Sequence, residues 1–247
     1  MKRLLLAGLL WLIPVSGWAV VVWDAATVND NSDSDTSSSF SHTIGGSVTN
    51  GYTGACIATR GGGATIAVSS VDIGGSAATL LRAADTAASE FGTTRIEIWG
   101  RATGSTTGAI TINPTVASAD RFRTTAFSLS GVDQTTPVGT VPAAVTATAT
   151  SITQNVSSAV NQLVVSCTAI NTSGVSGVTA GAGQTSRQLN NTDLNNTYED
   201  LTTEPGAGTV TMSESWTGIS IAAHVAAPFN EAAAATAQSR LLMGVGN

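Results

Sequence analysis

The chain has 247 residues, of which 42% are hydrophobic and 11% charged, with a net charge of −6. That length holds one large β-rich domain or two small ones, and the apolar share excludes a charge-rich disordered chain. Beyond Lys2 and Arg3 the chain has no lysine and an excess of carboxylates, so nucleic acid and anionic lipid are poor partners for it.

Lys2 and Arg3 precede an apolar run from Leu4 to Val15, followed by Ser16-Gly17-Trp18-Ala19. This is the pattern of a secretory signal over residues 1–19, with an apolar helix and cleavage after Ala19. The rival is an uncleaved anchor, because the apolar run continues through Val20-Val21-Val22 to Trp23 and reaches about the 20 residues a bilayer needs. Pro14, Ser16 and Gly17 interrupt it and favour cleavage. Either way the chain is exported, to the medium, the cell surface or the periplasm, and membrane contact is expected only without cleavage.

Residues 20–41 form a polar arm that reads as a linker or exposed loop, with Asn29-Asp30-Asn31-Ser32-Asp33-Ser34-Asp35 and a serine run. Asp30, Asp33 and Asp35 cluster the hard oxygen ligands calcium takes. They lack the glycine and glutamate spacing of an EF-hand, so solvated linker carboxylates are the plainer account.

From residue 42 to 133 the chain alternates strand and turn. Arg95-Ile96-Glu97-Ile98-Trp99, Ala109-Ile110-Thr111-Ile112 and Ala126-Phe127-Ser128-Leu129 show period two, separated by Gly61-Gly62-Gly63, Gly74-Gly75 and Gly131. Residues 134–145, with Pro137 and Pro142, read as a linker. Residues 146–229 repeat the first half in outline. Asn50, Cys56 and Ala58 match Asn161, Cys167 and Ala169 at identical offsets, and Gly108-Ala109-Ile110-Thr111-Ile112 matches Gly208-Thr209-Val210-Thr211-Met212. The predicted fold is an all-β antiparallel sandwich, jelly-roll-like and built from two similar halves. One larger sandwich drawing strands from both halves stays open. Residues 230–247 read as a C-terminal helical tail, capped by Asn230 with Glu231 in the first turn and Arg240 in the last.

The side chains able to do chemistry are few. His42 and His224 lie in strand-like contexts, and no G-x-S-x-G or activated nucleophile accompanies them, so structural roles are expected. Glu97 with Trp99, and Glu214 with Trp216, stand two apart and so share a sheet face. On an exposed face each is a sugar-binding pair, and the two glutamates are the candidates for a glycosidase dyad. Tryptophans anchoring a core are the plainer account. Cys56 and Cys167 are a disulfide or two small buried thiols, and the absence of CxxC spacing excludes zinc. No cofactor is expected. Asn155, Asn171, Asn190 and Asn195 open glycosylation sequons.

Gly131-Val132-Asp133-Gln134-Thr135-Thr136-Pro137, Gly181-Ala182-Gly183-Gln184-Thr185 and Glu204-Pro205-Gly206-Ala207-Gly208-Thr209-Val210-Thr211-Met212-Ser213 with Trp216, together with Phe40-Ser41-His42-Thr43, form a series. It resembles a loosely defined group of secreted bacterial and phage-associated β-sandwich modules over residues 40–229. The resemblance implies an extracellular or particle-surface module that is an appendage of something larger. The chain departs from that group in having its own signal and the matched cysteines, which favour a stand-alone subunit. The expected function is a non-enzymatic exported structural or interaction protein that assembles with itself, as a homo-oligomer, or with other surface proteins. The alternative is a carbohydrate-binding or adhesive module with glycans as partners.

Overall fold

The computed structural model describes residues 20–31, 36–87, 89, 92–117, 121–171, 175–190 and 197–233, so the expected signal helix lies outside the described residues. The described chain is all-β, with antiparallel strands in three sheets. The first half contributes β1 (Val22–Asn31), β2 (Phe40–Ile44), β3 (Gly51–Gly61), β4 (Val68–Ile73), β5 (Ser76–Ala77), β6 (Thr79–Asp85), β7 (Thr93–Gly104), β8 (Gly108–Val116) and β9 (Arg121–Ser130). They form a five-stranded sheet, β1-β9-β3-β7-β6, and a four-stranded sheet, β2-β8-β4-β5. The second half contributes β10 (Val145–Ser158), β11 (Leu163–Asn171), β12 (Ser176–Ala180), β13 (Thr185–Asn190), β14 (Thr197–Pro205) and β15 (Gly208–Phe229). These make one sheet, β10-β15-β11-β14-β13, with β12 added on β15.

The long strands β10 and β15 each serve two layers. Their register jumps from the Ala149–Ser220 pair to the Ser151–Ser215 pair, so residues 216–219 fall out of the ladder, and Gly218 there adopts φ +87°. A bulge of this kind bends a strand. Past the bend, Val210 and Met212 of β15 lie against Val164 and Ala226, and Trp216 lies against Ile170 and Ala222, so the sheet folds over on itself. Divided at the bend, the second half has an inner layer β10-β15-β11-β14-β13 and an outer layer β10-β15-β12. That order matches β1-β9-β3-β7-β6 and β2-β8-β4 of the first half, strand for strand. No named strand of one half pairs with a named strand of the other.

The matched residues of the repeat have local reasons. Asn50 and Asn161 are the non-glycine residues with positive φ among those described, at +49° and +73°, each just before the corresponding strand β3 or β11. Asparagine tolerates this conformation better than branched residues do. Gly108 and Gly208, at φ +81° and +88°, open the corresponding β8 and β15. Side-chain-free Gly54 lies under the Phe127 ring, where a Cβ would come within 2.3 Å of it.

The two inner layers face each other across a shared apolar core that includes Tyr52, Ile96, Ile98, Phe127 and Leu129 from one half and Val165, Leu201, Val225 and Phe229 from the other. Phe229 meets both Tyr52 and Phe127, with ring centroids 4.8 and 6.1 Å apart. Each half also closes a core of its own between its inner and outer layers. Some contacts between halves join equivalent strands in exchanged roles: β7 meets β11 as β14 meets β3, and β6 meets β10 as β13 meets β1, while β15 also meets β6 and β7. The equivalent residues Cys56 and Cys167 are joined across this core as a disulfide, with Cα atoms 5.9 Å apart.

Two expectations are corrected. The polar arm is not a loop over its first part, because Val22–Asn31 is strand β1, in register with Phe122–Ser130 of β9. Its polar residues are bonded: Asp24 accepts from Ser128 Oγ at 2.6 Å, and Thr27 Oγ1 lies 2.9 Å from His42 Nδ1. The C-terminal helix does not begin at Asn230. That residue's backbone amide donates to Pro137 O, its Oδ1 accepts from Gln162 Nε2, and Glu231 forms a bridge with Val132. Those extended contacts take the polar groups that a helical cap would use. The rest of the expected helix, from residue 234 onward, lies outside the described residues.

The disulfide closes a sequence separation of 111 residues, for which chain-entropy reasoning gives a contribution of about 4–5 kcal/mol. Denaturant unfolding with and without reductant measures this, and the midpoint is expected to fall markedly on reduction, as it should in the Cys56→Ala/Cys167→Ala chain.

Candidate functional site

The two histidines and the two Glu–Trp pairs are buried. Glu97 is 0% and Trp99 9% exposed, and Glu214 and Trp216 are 1% and 5% exposed. The two pairs do share a sheet face, as their spacing requires, but it is the face turned into each half's own core. No exposed indole platform for a sugar exists at these residues, and no cleft holds Glu97 and Glu214 together. They lie in different halves, on an inner-layer strand (β7) and on the outer-layer part of β15. Burial thus takes Trp99 and Trp216 off the surface, and the layering keeps Glu97 and Glu214 apart.

Glu97 is saturated by donors. Its Oε1 accepts from the Arg95 Nε and, at 3.1 Å, from the Val68 amide, while Oε2 accepts from Trp99 Nε1 at 2.5 Å. Arg95 in turn makes a two-pronged contact with Asp85, at 2.8 and 2.9 Å. A buried carboxylate is tolerated when its lone pairs are filled by charged and neutral donors in this way. Glu97 thereby ties β4, the first strand-face residue Trp99 and the edge strand β6 to β7.

In the second half a row of polar groups crosses three adjacent strands. Asp200 on β14, Thr168 on β11 and His224 on β15 are direct register partners, and Glu214 reaches the row from the facing layer. Asp200 occupies the place in β14 that Glu97 holds in β7, by the pairings Thr168–Asp200 and Ile57–Glu97 around the matched cysteines. Thr168 Oγ1 donates to Glu214 Oε1 at 2.7 Å and lies 2.7 Å from His224 Nδ1. Ser186 Oγ donates to Asp200 Oδ1 at 3.2 Å.

Burial sets the protonation of this row. It pushes Asp200 up to about 6 and Glu214 well above the usual carboxylate range, the latter also through repulsion from Asp200. It holds His224 down at about 4, so the imidazole is neutral at pH 7. Glu214 Oε2 and His224 Nε2 find no hydrogen-bond partner among the described residues. The arrangement stores charge-averse groups in an apolar layer and presents none of them to a substrate.

The other histidine completes a chain that sequence reasoning missed. His42 Nε2 lies 3.0 Å from Ser128 Oγ, which donates to Asp24 Oδ2, which also accepts from the Gly45 amide at 2.9 Å. Serine, histidine and aspartate are all present, but the carboxylate holds the serine rather than orienting the imidazole, so the hydroxyl proton is directed away from the base. Burial lowers the His42 pKa against the opposing pull of Asp24. This is the reverse of a nucleophilic triad.

Asp30 lies on β1, and Asp33 and Asp35 lie outside the described residues. No group of three metal-binding side chains occurs among the described residues. Asn155 is exposed on β10, whereas Asn171 is buried and donates to Gly92 O at 3.1 Å. One open depression of about 340 Å³ is lined by Gly139, Ser157, Gln162 and neighbours without an acid, base or nucleophile pair.

Two outcomes test this account. Between its unfolded value near 3.8 and its folded value near 6, Asp200 binds more protons folded than unfolded, so its contribution falls as pH rises through about 6. His224 acts oppositely, losing stability as pH falls from 6.5 towards 4. Asp200→Asn is therefore expected to leave the melting temperature nearly unchanged at pH 4 and to raise it by roughly 5 °C at pH 8. Glu97→Gln, which places an amide donor among donors, is expected to destabilise by about 2–4 kcal/mol in denaturant unfolding.

Comparison of the chain with protein-family models, with curated proteins and with solved structures gave no match.

Proposed function

We propose that this chain is an exported, non-enzymatic structural protein, the self-assembling subunit of a surface layer, filament or particle. Its body is read as two jelly-roll-like halves that arose by duplication. The strand order supports this, because in each half the chain crosses repeatedly between inner and outer layers, with β6 next to β7 and β13 next to β14 inside the inner layer. The matched Asn50/Asn161, Cys56/Cys167 and Gly108/Gly208 support a common origin of the halves.

The observation that carries the functional reading is the division between interior and surface. The chemistry-bearing residues are walled into cores, while the outer layers present hydroxyls and amides: Ser41, Thr43 and Thr111 on one side, Thr153, Asn155, Thr209, Thr211 and Ser215 on the other. No charged side chain occurs between Asp133 and Arg187. Such a surface gives little electrostatic resistance to close contact with another protein. The double-layered halves and their disulfide suit a rigid building block outside the cytoplasm.

Size-exclusion chromatography with light scattering on residues 20–247 tests the reading. Species larger than one chain are expected at physiological salt, and a clean monomer at high concentration would overturn it.

A further inference from the structure

Resting on the assembly reading, we propose that strand β10 is the contact edge and that its occupant is β10 of a second copy, paired antiparallel about a two-fold axis at Gln154. Among the described residues β10 pairs in register with β15 alone, so its other edge has no strand partner there. It has fourteen residues, VTATATSITQNVSS, with no charge, proline or glycine.

The other edges carry obstacles. β6 has Arg82 and Asp85 with a register shift at Leu80/Arg82. β13 has Arg187 at a shift between Ser186 and Gln188, and β1 has Asp24 and Asp30 with a shift at Trp23/Ala25. β2 and β12 have five residues each. Charges, bulges and short length are the devices that keep sheet edges apart, and β10 has one bulge, near Thr150, that leaves the rest of the strand regular. Ser151 to Ser158 run in unbroken register with Ser215 to Gly208.

The register of the contact follows from the alternation. Ile152, Gln154, Val156 and Ser158 are buried, and Ser151, Thr153, Asn155 and Ser157 are exposed. A two-fold axis perpendicular to the sheet keeps inner faces together only if inward residues oppose inward residues, since a slip of one residue reverses the faces. An axis at Gln154 sets Ile152 opposite Val156 of the second copy, Thr153 opposite Asn155, and Ser151 opposite Ser157. Apolar groups then meet on the inner face and hydrogen-bonding groups on the outer face. An axis at Asn155 would set Ile152 opposite Ser158 and Gln154 opposite Val156, which loses that match. The contact is isologous and closes at two copies, so larger assemblies are built from such dimers through other surfaces.

Charge exchange at the exposed pair tests this, because the same two surface positions are altered in every variant. Thr153→Lys/Asn155→Lys places like charges opposite each other twice and is expected to weaken dimerisation at least tenfold in analytical ultracentrifugation. Thr153→Lys/Asn155→Glu places opposite charges there and is expected to dimerise at least as tightly as the parent. A mixture of the double-lysine chain with Thr153→Glu/Asn155→Glu is expected to restore dimers. Assembly of the double-lysine chain equal to the parent, or equal loss in the lysine/glutamate chain, would overturn the β10 contact while leaving the assembly reading in place. A parent chain that pairs only once residues 234–247 are removed would overturn it in favour of the chain's own tail on this edge. A parent that never assembles would overturn both.

Discussion

The apolar layer between the two inner sheets is the constraint on which the rest of the molecule depends. Each inner sheet is covered on both faces, by its partner half on one side and by its own outer layer on the other. Strands in that position have no solvent face, which is why β11 is buried along its whole length and β3 nearly so. Burying an apolar side chain contributes about 1.5–3 kcal/mol, and the layer draws on both halves at once, so neither half keeps its inner face dry alone. The disulfide sits inside the same layer and locks the arrangement by covalent connection of equivalent strands.

Covering both faces creates a second problem, because polar residues on inner strands end up far from water. The halves solve it differently at the same place in the fold. Glu97 sits within a shell of donors that includes a guanidinium, an indole and a backbone amide. Asp200 and Glu214 lie close enough to repel each other, and burial favours their protonated forms. His224 stays neutral beside them. Through Thr168 and Ser186 these groups link neighbouring strands and layers.

The surface follows a separate logic. Charges are concentrated in the first half and near the edges of its inner sheet, whereas the second half presents hydroxyls over a long uncharged stretch. The layered body leaves sheet edges as the places where backbone donors and acceptors face outward, and most of those edges are short, bulged or charged. β10 is the exception, and it belongs to the half with least charge.

Sequence alone determined the strand-rich class, the repeated offsets of Asn, Cys and Gly, and the shared sheet face of each Glu–Trp pair, because period-two alternation and fixed offsets are local properties of the chain. It also marked Asn50, Asn161, Gly108 and Gly208, whose backbone angles now account for the match. Which face turned inward was decided only by tertiary structure, since alternation places Glu97 with Trp99 and Glu214 with Trp216 but cannot say what covers them. The polar arm departs from the loop expected because Asp24 and Thr27 find partners on other strands and its backbone pairs with β9, and a composition typical of loops does not reveal a bonded edge strand. The pairing of Cys56 with Cys167, the serine–histidine–aspartate chain around His42 and the row from Asp200 to His224 likewise depend on contacts across long separations. Only the stacking of layers brings those side chains together.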